Sequence, residues 1–204
     1  MINYYDSKSL LNKNGDINVI WGPTMIGKTY TYLKLVLENF RNNKRTFLYV
    51  KRWNEDVNSM HMKRLIDQSL VENVFGKGYT ITFFRGKFIL NYEDKKEVIG
   101  YAVAINNQAH IRACNYDNIQ IIILDDFLQV KSEKSIPYEF DCWEAILSSI
   151  KVSDIKVFIL GNTVTKYSPY FEMYKINLNN IKPGEIKIIN DKSPCIVAQW
   201  CKLR

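Results

Sequence analysis

The sequence predicts an α/β fold in which a mostly parallel central sheet is flanked by helices. Apolar strands alternate with helical segments, a glycine-rich loop joins the first strand to the first long helix, and two later strands end in polar side chains. The chain has 204 residues, of which 47% are apolar and 24% charged, so it is large enough to bury a sizeable core. We expect one domain over residues 1–204, with its core at about 16–171.

The first half of the chain is predicted to supply two strands and two helices. Residues 17–21 are mostly apolar and stop at a glycine, which predicts a buried strand, and a helical pattern covers residues 28–42. Aromatic and β-branched residues predict a second strand at 45–53. Apolar positions at helical spacing predict a second helix at 57–74.

The second half is predicted to contain a hairpin lobe, two buried strands, one helix and a β-rich tail. Glycines separate three short strands into a small antiparallel hairpin lobe at about 78–105. Two apolar runs, at 121–124 and 155–160, are typical of strands buried on both faces. The other predicted bounds are 80–84, 87–91 and 97–105 for the hairpin strands, 139–151 for the helix, and 185–189 and 195–200 for strands of the tail, which spans about 181–204.

Residues 22–29 match the phosphate-loop pattern G-x-x-x-x-G-K-[ST], or Walker A motif, without a mismatch. Glycines let backbone N–H groups converge on phosphates, and the following helix directs its positive N-terminal end at the same anion. Lys28 is suited to the β- and γ-phosphates and is expected to face solvent without nucleotide, while the Thr29 hydroxyl is suited to Mg²⁺. The predicted nucleotide-binding residues are Gly22, Pro23, Thr24, Met25, Ile26, Gly27, Lys28, Thr29 and Tyr30.

Two carboxylates, Asp125 and Asp126, follow the apolar run at 121–124. A strand this apolar is expected in the middle of the sheet, with its carboxyl end beside the phosphate loop. We expect Asp125 to hold Mg²⁺ through water, as a Walker B aspartate does. Asp126 occupies the position where many such ATPases have a glutamate that orients the attacking water. Since aspartate is one methylene shorter, Glu139 is kept as an alternative catalytic carboxylate.

A third buried strand, at 155–160, leads to Asn162. We expect this strand to lie between the phosphate-loop strand and the strand that ends at Asp125. Asn162 is then placed to sense the γ-phosphate through the attacking water.

Composition excludes several other classes of protein. No apolar run approaches 18 residues, so a membrane-spanning helix is not expected, and the polar start lacks a signal-peptide core. The four cysteines (Cys114, Cys142, Cys195 and Cys201) have no CxxC pair or metal-finger spacing, so we expect reduced thiols rather than a zinc site.

Charge is unevenly distributed along this basic chain, whose net charge is +7. Residues 41–64 carry seven basic and two acidic side chains, whereas residues 117–144 carry two basic and seven acidic ones. The net charge permits a polyanionic partner, and the acidic segment is suited to holding a cation.

Taken together, these residues resemble the bacteriophage DNA-packaging ATPases of the phi29 type. The resemblance covers about residues 16–171. It rests on the phosphate loop with Tyr30, Phe47-Leu48-Tyr49-Val50-Lys51-Arg52-Trp53, Lys87-Phe88-Ile89-Leu90 leading to Gly100-Tyr101-Ala102, Leu124-Asp125-Asp126-Phe127, Ile136-Pro137, Leu160-Gly161-Asn162-Thr163-Val164, and Pro169-Tyr170-Phe171.

The resemblance implies a P-loop NTPase of the additional-strand (ASCE) type that uses ATP and Mg²⁺. It implies a homomeric ring that drives double-stranded viral DNA into a preformed capsid through a portal or connector, in the host cytoplasm and transiently on the procapsid, with no membrane partner. Members of this family usually carry a further nuclease-like C-terminal domain. We expect that domain to be absent from a chain that stops at Arg204, which leaves an isolated ATPase part.

Three departures from the family pattern affect the predicted site. Thr24 lies where a basic residue is often found in the phosphate loop, and Asp126 replaces the catalytic glutamate. Lys151 lies within about a residue of the family's trans-acting arginine and is a weaker substitute, because an ammonium lacks the guanidinium fork.

The resemblance also marks residues for the nucleotide and for DNA. Arg52 matches a position near the nucleotide. In the loop before the Asp125 strand, Arg112 matches a basic family residue, and with His110 it is the predicted DNA contact.

Two other function classes are left open by the residues. A small P-loop nucleotide or nucleoside kinase is disfavoured because residues 128–150 contain no arginine for a mobile lid. A nucleotide-dependent switch is the other alternative, and the lack of an N-K-x-D motif disfavours GTP as its ligand.

Overall fold

The computed structural model describes residues 5–57, 59–107, 116, 118–128, 135–150, 153–163, 165 and 167–202. Nine strands lie in these ranges: β1 (Ile17–Gly22), β2 (Thr46–Lys51), β3 (Thr80–Phe84), β4 (Lys87–Tyr92), β5 (Lys95–Ala104), β6 (Ile119–Asp125), β7 (Lys156–Asn162), β8 (Ile186–Asn190) and β9 (Ile196–Trp200). They form one sheet in the order β3-β4-β5-β2-β6-β7-β1-β9-β8.

The centre of the sheet is parallel and its two ends are antiparallel. Strands β5, β2, β6, β7, β1 and β9 all run in the same direction. Strand β7 lies between β6 and β1, which confirms the predicted insertion of this strand. The α/β class with a mostly parallel sheet and a small antiparallel part is thereby confirmed.

The hairpin and the tail continue the central sheet. Strand β5 pairs in parallel with β2 over its second half and in antiparallel with β4 over most of its length. In the tail, β9 pairs in parallel with β1, and β8 returns antiparallel to β9. The sequence correctly predicted these strands, and the sheet order shows that each group is attached to the core by backbone hydrogen bonds.

The same described ranges contain six α-helices: α1 (Lys8–Leu11), α2 (Lys28–Asn43), α3 (Ser59–Leu65), α4 (Gln68–Phe75), α5 (Glu139–Ser149) and α6 (Pro169–Met173). The helical region predicted over 57–74 is confirmed, but it consists of two separate helices, α3 and α4. Asp67 begins the second of them, since its side chain accepts a hydrogen bond from the Leu70 N–H at 2.7 Å. Short 3₁₀ turns occupy Asn54–Val57, Ile105–Asn107 and Leu178–Asn180.

Helices cover both faces of the sheet, which separates two apolar cores. Tyr49 and Ile123 contribute to the core that contains α2, whereas Leu48 and Ile122 contribute to the core that contains α5. Side chains alternate between faces along a strand. Lys51 and Asp125, the last residues of β2 and β6, therefore place their charged groups on the face of the sheet that carries α2. In the described part of the chain, no helix has the length and apolar character needed to cross a bilayer.

Candidate active site

The phosphate loop leaves β1 at Gly22 and enters α2 at Lys28. Gly27 precedes the helix with a φ of 88°, and Met25 at the exposed tip has a φ of 61°. Both angles lie in the left-handed region, which curls the loop around a small concave surface. At Gly22 a Cβ atom would lie 2.6 Å from Cβ of Cys201, so the packing of the chain after β9 against the loop requires glycine.

The Lys28 side chain is folded back into its own loop. Its Nζ donates to the backbone oxygens of Gly22 at 3.3 Å and Pro23 at 2.7 Å, and to Oδ1 of Asn162 at 3.2 Å. Burial lowers the pKa of Lys28, and the nearby carboxylates of Asp125 and Asp126 oppose that shift. The expectation that Lys28 faces solvent was wrong, because the residue is 6% exposed and its ammonium has acceptors inside the protein.

Asp125 ends the central strand β6 and contacts the phosphate-loop helix. The Thr29 hydroxyl donates to its two carboxylate oxygens at 3.3 and 3.4 Å, and the Tyr49 hydroxyl donates to Oδ2. Burial raises the pKa of Asp125, while the charge of Lys51 opposes the rise. Hydroxyl and carboxylate oxygens are the ligands that Mg²⁺ prefers, so Thr29 and Asp125 fit that ion.

Asp126 follows the strand with a φ of 61°, a left-handed conformation that is uncommon outside glycine but that aspartate adopts more readily than most residues. One carboxylate oxygen accepts from Nδ2 of Asn162 at 3.1 Å, and the other accepts from Nζ of Lys51 at 2.6 Å. Because the Asn162 amide also accepts from Lys28, it connects the phosphate-loop lysine to Asp126. Backbone strain of this kind is frequent at sites where chemistry requires a particular side-chain direction.

These groups surround one open cavity of about 220 Å³ at the carboxyl ends of β1, β6 and β7. Open α/β sheets bind their ligands at this edge. The cavity brings together most of the predicted phosphate-loop residues with Asp125, Asp126 and Asn162. Its lining consists of Thr24, Met25, Gly27, Lys28, Thr29, Tyr30, Asp125, Asp126, Gly161 and Asn162.

Arg52 and Glu139 form a buried ion pair away from this lining. Nε of Arg52 lies 2.8 Å from Oε1 of Glu139, and a second guanidinium nitrogen lies 2.8 Å from Oε2. The Tyr170 hydroxyl donates to the same carboxylate at 3.3 Å. The pair joins the end of β2 to the start of α5 and to α6. A direct catalytic role for either residue stays a prediction. Neither Arg52 nor Glu139 lines the cavity.

Three predicted site residues lie outside the described part of the chain. They are Lys151, Arg112 and His110. Their proposed contacts with a neighbouring subunit and with DNA stay predictions.

Three contributors to the site were not singled out as site residues from the sequence. Tyr49 and Lys51 reach Asp125 because they lie on the same face of β2, two residues apart, beside the end of β6. Gly161 lines the cavity, and a Cβ atom there would lie 2.5 Å from the Phe127 ring. The alternation of side chains along an aromatic strand was the available signal for Tyr49 and Lys51. Only the strand order shows which neighbour they reach.

Cysteines and metal-ligand clusters add no second site in the described ranges. Cys142, Cys195 and Cys201 are free thiols. No group of three or more His, Cys, Asp or Glu side chains among the described residues is arranged to hold a metal ion.

Similar proteins of known structure share this fold. The structure of the Phi-28 gp11 DNA packaging motor superposes with a TM-score of 0.82 at 18% identity, covering all of this chain and 60% of the other. The N-terminal domain of the DNA packaging ATPase from bacteriophage phi29 gives a TM-score of 0.77 at 17% identity, covering 96% and 95% of the two chains. The large terminase ATPase domain of Thermus phage P74-26 gives 0.57 at 12% identity, covering 98% and 82%.

Sequence comparison identifies the family. The DNA packaging proteins of Bacillus phages PZA and phi29 are each 21% identical over 182 residues, which is 85% of this chain and 50% of each relative. The chain therefore spans about half the length of the curated relatives it matches. The family described as Podovirus DNA encapsidation protein (Gp16) matches residues 2–187. With a match over most of its length, the chain belongs to the Podovirus DNA encapsidation protein (Gp16) family.

Proposed function

We propose that this chain is the ATP-hydrolysing part of a motor that moves double-stranded DNA into a preformed viral capsid. One observation carries the proposal: the phosphate loop, the Thr29–Asp125 pair and the Lys28–Asn162–Asp126 connection line a single cavity. Membership of a DNA-encapsidation family supports the biological setting of the reaction.

Nucleotide binding is assigned to the phosphate loop and the first turn of α2. The loop N–H groups and the helix N-terminus attract the phosphates, and Lys28 exchanges its backbone acceptors for phosphate oxygens. Asn162 loses one hydrogen-bond partner in that exchange, so the amide is suited to report phosphate binding to Asp126.

Magnesium is assigned to Thr29 and Asp125. The ion neutralises charge on the phosphates when bound. The Tyr49 hydroxyl donates to the Asp125 carboxylate and holds it in place, and Asp125 and Thr29 both line the cavity. This positioning lowers the reorganisation that metal binding requires.

Activation of the attacking water is assigned to Asp126. Its carboxylate is half-exposed and lines the cavity, and Asn162 holds one of its oxygens at 3.1 Å. The left-handed backbone of Asp126 sets the direction of this short side chain, which supports aspartate in place of a longer glutamate. Glu139 is a poorer candidate because its carboxylate is buried against Arg52 and Tyr170 and does not line the cavity.

Hydrolysis is tested by measuring phosphate release from ATP and Mg²⁺ with and without double-stranded DNA. We expect release to rise with DNA and to be abolished in Lys28→Ala, because that variant loses a charge on the transferred phosphoryl group. Lys34→Ala is a matched control, since Lys34 lies on the same helix, away from the cavity, and pairs with Glu38 on the surface at 3.8 Å. Near-normal turnover in Lys28→Ala, or phosphorylation of a nucleoside in place of hydrolysis, contradicts the proposal.

The partners of the motor are proposed from the family and from the chemistry. We propose a homomeric ring in the host cytoplasm, docked transiently on a capsid portal, in which Arg112 and His110 contact the DNA backbone. Phosphate contacts carry no sequence information, which suits a translocase that moves along any sequence.

Lys151 is proposed as the cation that a neighbouring subunit supplies to the phosphates, a contribution worth about 10³-fold or more in rate. Mixing the inactive variants Lys28→Ala and Lys151→Ala tests this. The first still offers Lys151 to the intact phosphate loop of the second, so activity should partly return. A mixture that stays inactive while the wild type assembles shows that Lys151 does not act across an interface.

A further inference from the structure

The Lys51 ammonium lies between the two carboxylates of the candidate active site. Its Nζ is 2.6 Å from Oδ2 of Asp126 and 3.3 Å from Oδ2 of Asp125. The Lys51 side chain is 14% exposed and that of Asp125 is 7% exposed, so the contact with Asp125 is largely shielded from solvent, whereas Asp126 is half-exposed. Charged contacts in such surroundings are much stronger than at the surface.

The backbone places Lys51 at this point. Lys51 is the last residue of β2, and Val50 is paired with Leu124 in the neighbouring strand β6. The next residues are Lys51 on β2 and Asp125 on β6. Both side chains point to the face of the sheet that carries Tyr49 and α2. Because β2 is an internal strand of the sheet, the Lys51 backbone is held rigidly, and the contacts with Asp125 and Asp126 hold the ammonium.

The two lysines of the site have different partners. Lys28 donates to loop carbonyls and to Asn162. Lys51 instead contacts both carboxylates, one of which also accepts from the Thr29 hydroxyl. Lys51 therefore contacts the Asp125 carboxylate that, with Thr29, would hold the metal, and its single positive charge offsets one of the two negative charges.

We propose that Lys51 is a tethered counter-cation that competes with Mg²⁺ for Asp125 until nucleotide binds, while it holds Asp126 as its second partner. The inference rests on the proposed function, since it assigns this site to Mg²⁺ and nucleotide. We expect the metal to bind weakly to the nucleotide-free protein, because it would have to displace an ammonium from the buried Asp125 carboxylate. The phosphates supply the additional ligands that make displacement favourable, so metal and nucleotide enter together.

The test measures binding of Mn²⁺ to the nucleotide-free protein from the electron paramagnetic resonance signal of the free ion. The variants are Lys51→Met, which removes the charge, and Lys51→Gln, which removes the charge but keeps a hydrogen-bond donor if the first fails to fold. Lys44→Met is the control, because Lys44 is an exposed lysine paired with Glu97 at 2.8 Å, outside the site. Thermal unfolding of each protein confirms that it is folded.

We expect Lys51→Met and Lys51→Gln to bind Mn²⁺ at least about tenfold more tightly than the wild type, the scale for removing a neighbouring unit charge. Lys44→Met should change the affinity by less than about twofold, because its charge is remote and screened. Equal or weaker Mn²⁺ binding in a folded Lys51 variant overturns the proposal. The assay involves no turnover, so its outcome is separate from whether the protein hydrolyses ATP.

Discussion

Replacing Glu139 by glutamine tests whether the buried Arg52–Glu139 pair stabilises the fold or takes part in hydrolysis. Two hydrogen bonds of 2.8 Å join these side chains, which are 4% and 8% exposed. Removing one partner of such a pair costs about 3–5 kcal/mol, because the remaining charge is left uncompensated in a buried position. We expect about 3 kcal/mol for Glu139→Gln, since the amide keeps a hydrogen-bond acceptor.

This loss is large enough to measure by thermal unfolding of the nucleotide-free protein. For a chain of this size 1 kcal/mol corresponds to about 2–4 °C, so the Tm should fall by about 6–12 °C. The double variant Arg52→Met with Glu139→Gln should lose less than the sum of the single losses, because it leaves no unpaired charge. Glu144→Gln is the control, since Glu144 is an exposed residue of the same helix.

Phosphate release, measured well below the Tm and expressed per folded molecule, separates the two roles. If the pair is structural, the Glu139→Gln variant retains turnover close to that of the wild type. A Tm within about 2 °C of the wild type, together with a loss of about 10²-fold in turnover, would refute the reasoning and make Glu139 the catalytic carboxylate.

Three further predictions follow from the same geometry. Asp126→Asn should keep ATP binding and lower hydrolysis by about 10²-fold, as seen in single-turnover phosphate release, and a smaller loss than in Glu139→Gln contradicts the assignment. Gly22→Ala should weaken binding of a fluorescent ADP analogue and lower the Tm, because the new Cβ would lie 2.6 Å from Cβ of Cys201. A hydrogen bond from the Cys195 backbone N–H holds the pKa of Asp16 below its usual value. The ionised Asp16 therefore contributes stability that is present above about pH 4 and is lost as the pH falls through the folded-state pKa. The difference in unfolding free energy between wild type and Asp16→Asn should therefore shrink as the pH is lowered. A difference that stays constant with pH would show that the ionised Asp16 carboxylate does not contribute this stability.

Local patterns in the sequence determined the parallel core and the identity of most cavity residues. The phosphate-loop motif depends on backbone conformations that glycine allows, so residues 22–29 could be recognised without any tertiary information. Asp125 and Asn162 were predictable because buried parallel strands are continuous apolar runs, and the first polar residue after each run lies at the same edge of the sheet. The insertion of β7 between β6 and β1 agreed with this reasoning.

The break between α3 and α4 was missed because apolar spacing continues across it. An aspartate caps a new helix only where the backbone turns, and the residue type does not show whether the backbone turns at Asp67 or continues as one helix. The buried position of Lys28 was also missed. Its acceptors come from the loop backbone and from a residue 134 positions away in the sequence.

By itself, the sequence determined which residues are chemically suited to phosphate and metal, because those motifs are short and their geometry is local. Only the tertiary structure decided how the remaining charges pair. The register between β2 and β6 directs Lys51 to the carboxylates of the cavity, while the alternation of side chains sends Arg52 to the opposite face and to Glu139. Two adjacent basic residues thus have different environments, and the physical reason is a strand pairing between segments about 75 residues apart in the chain.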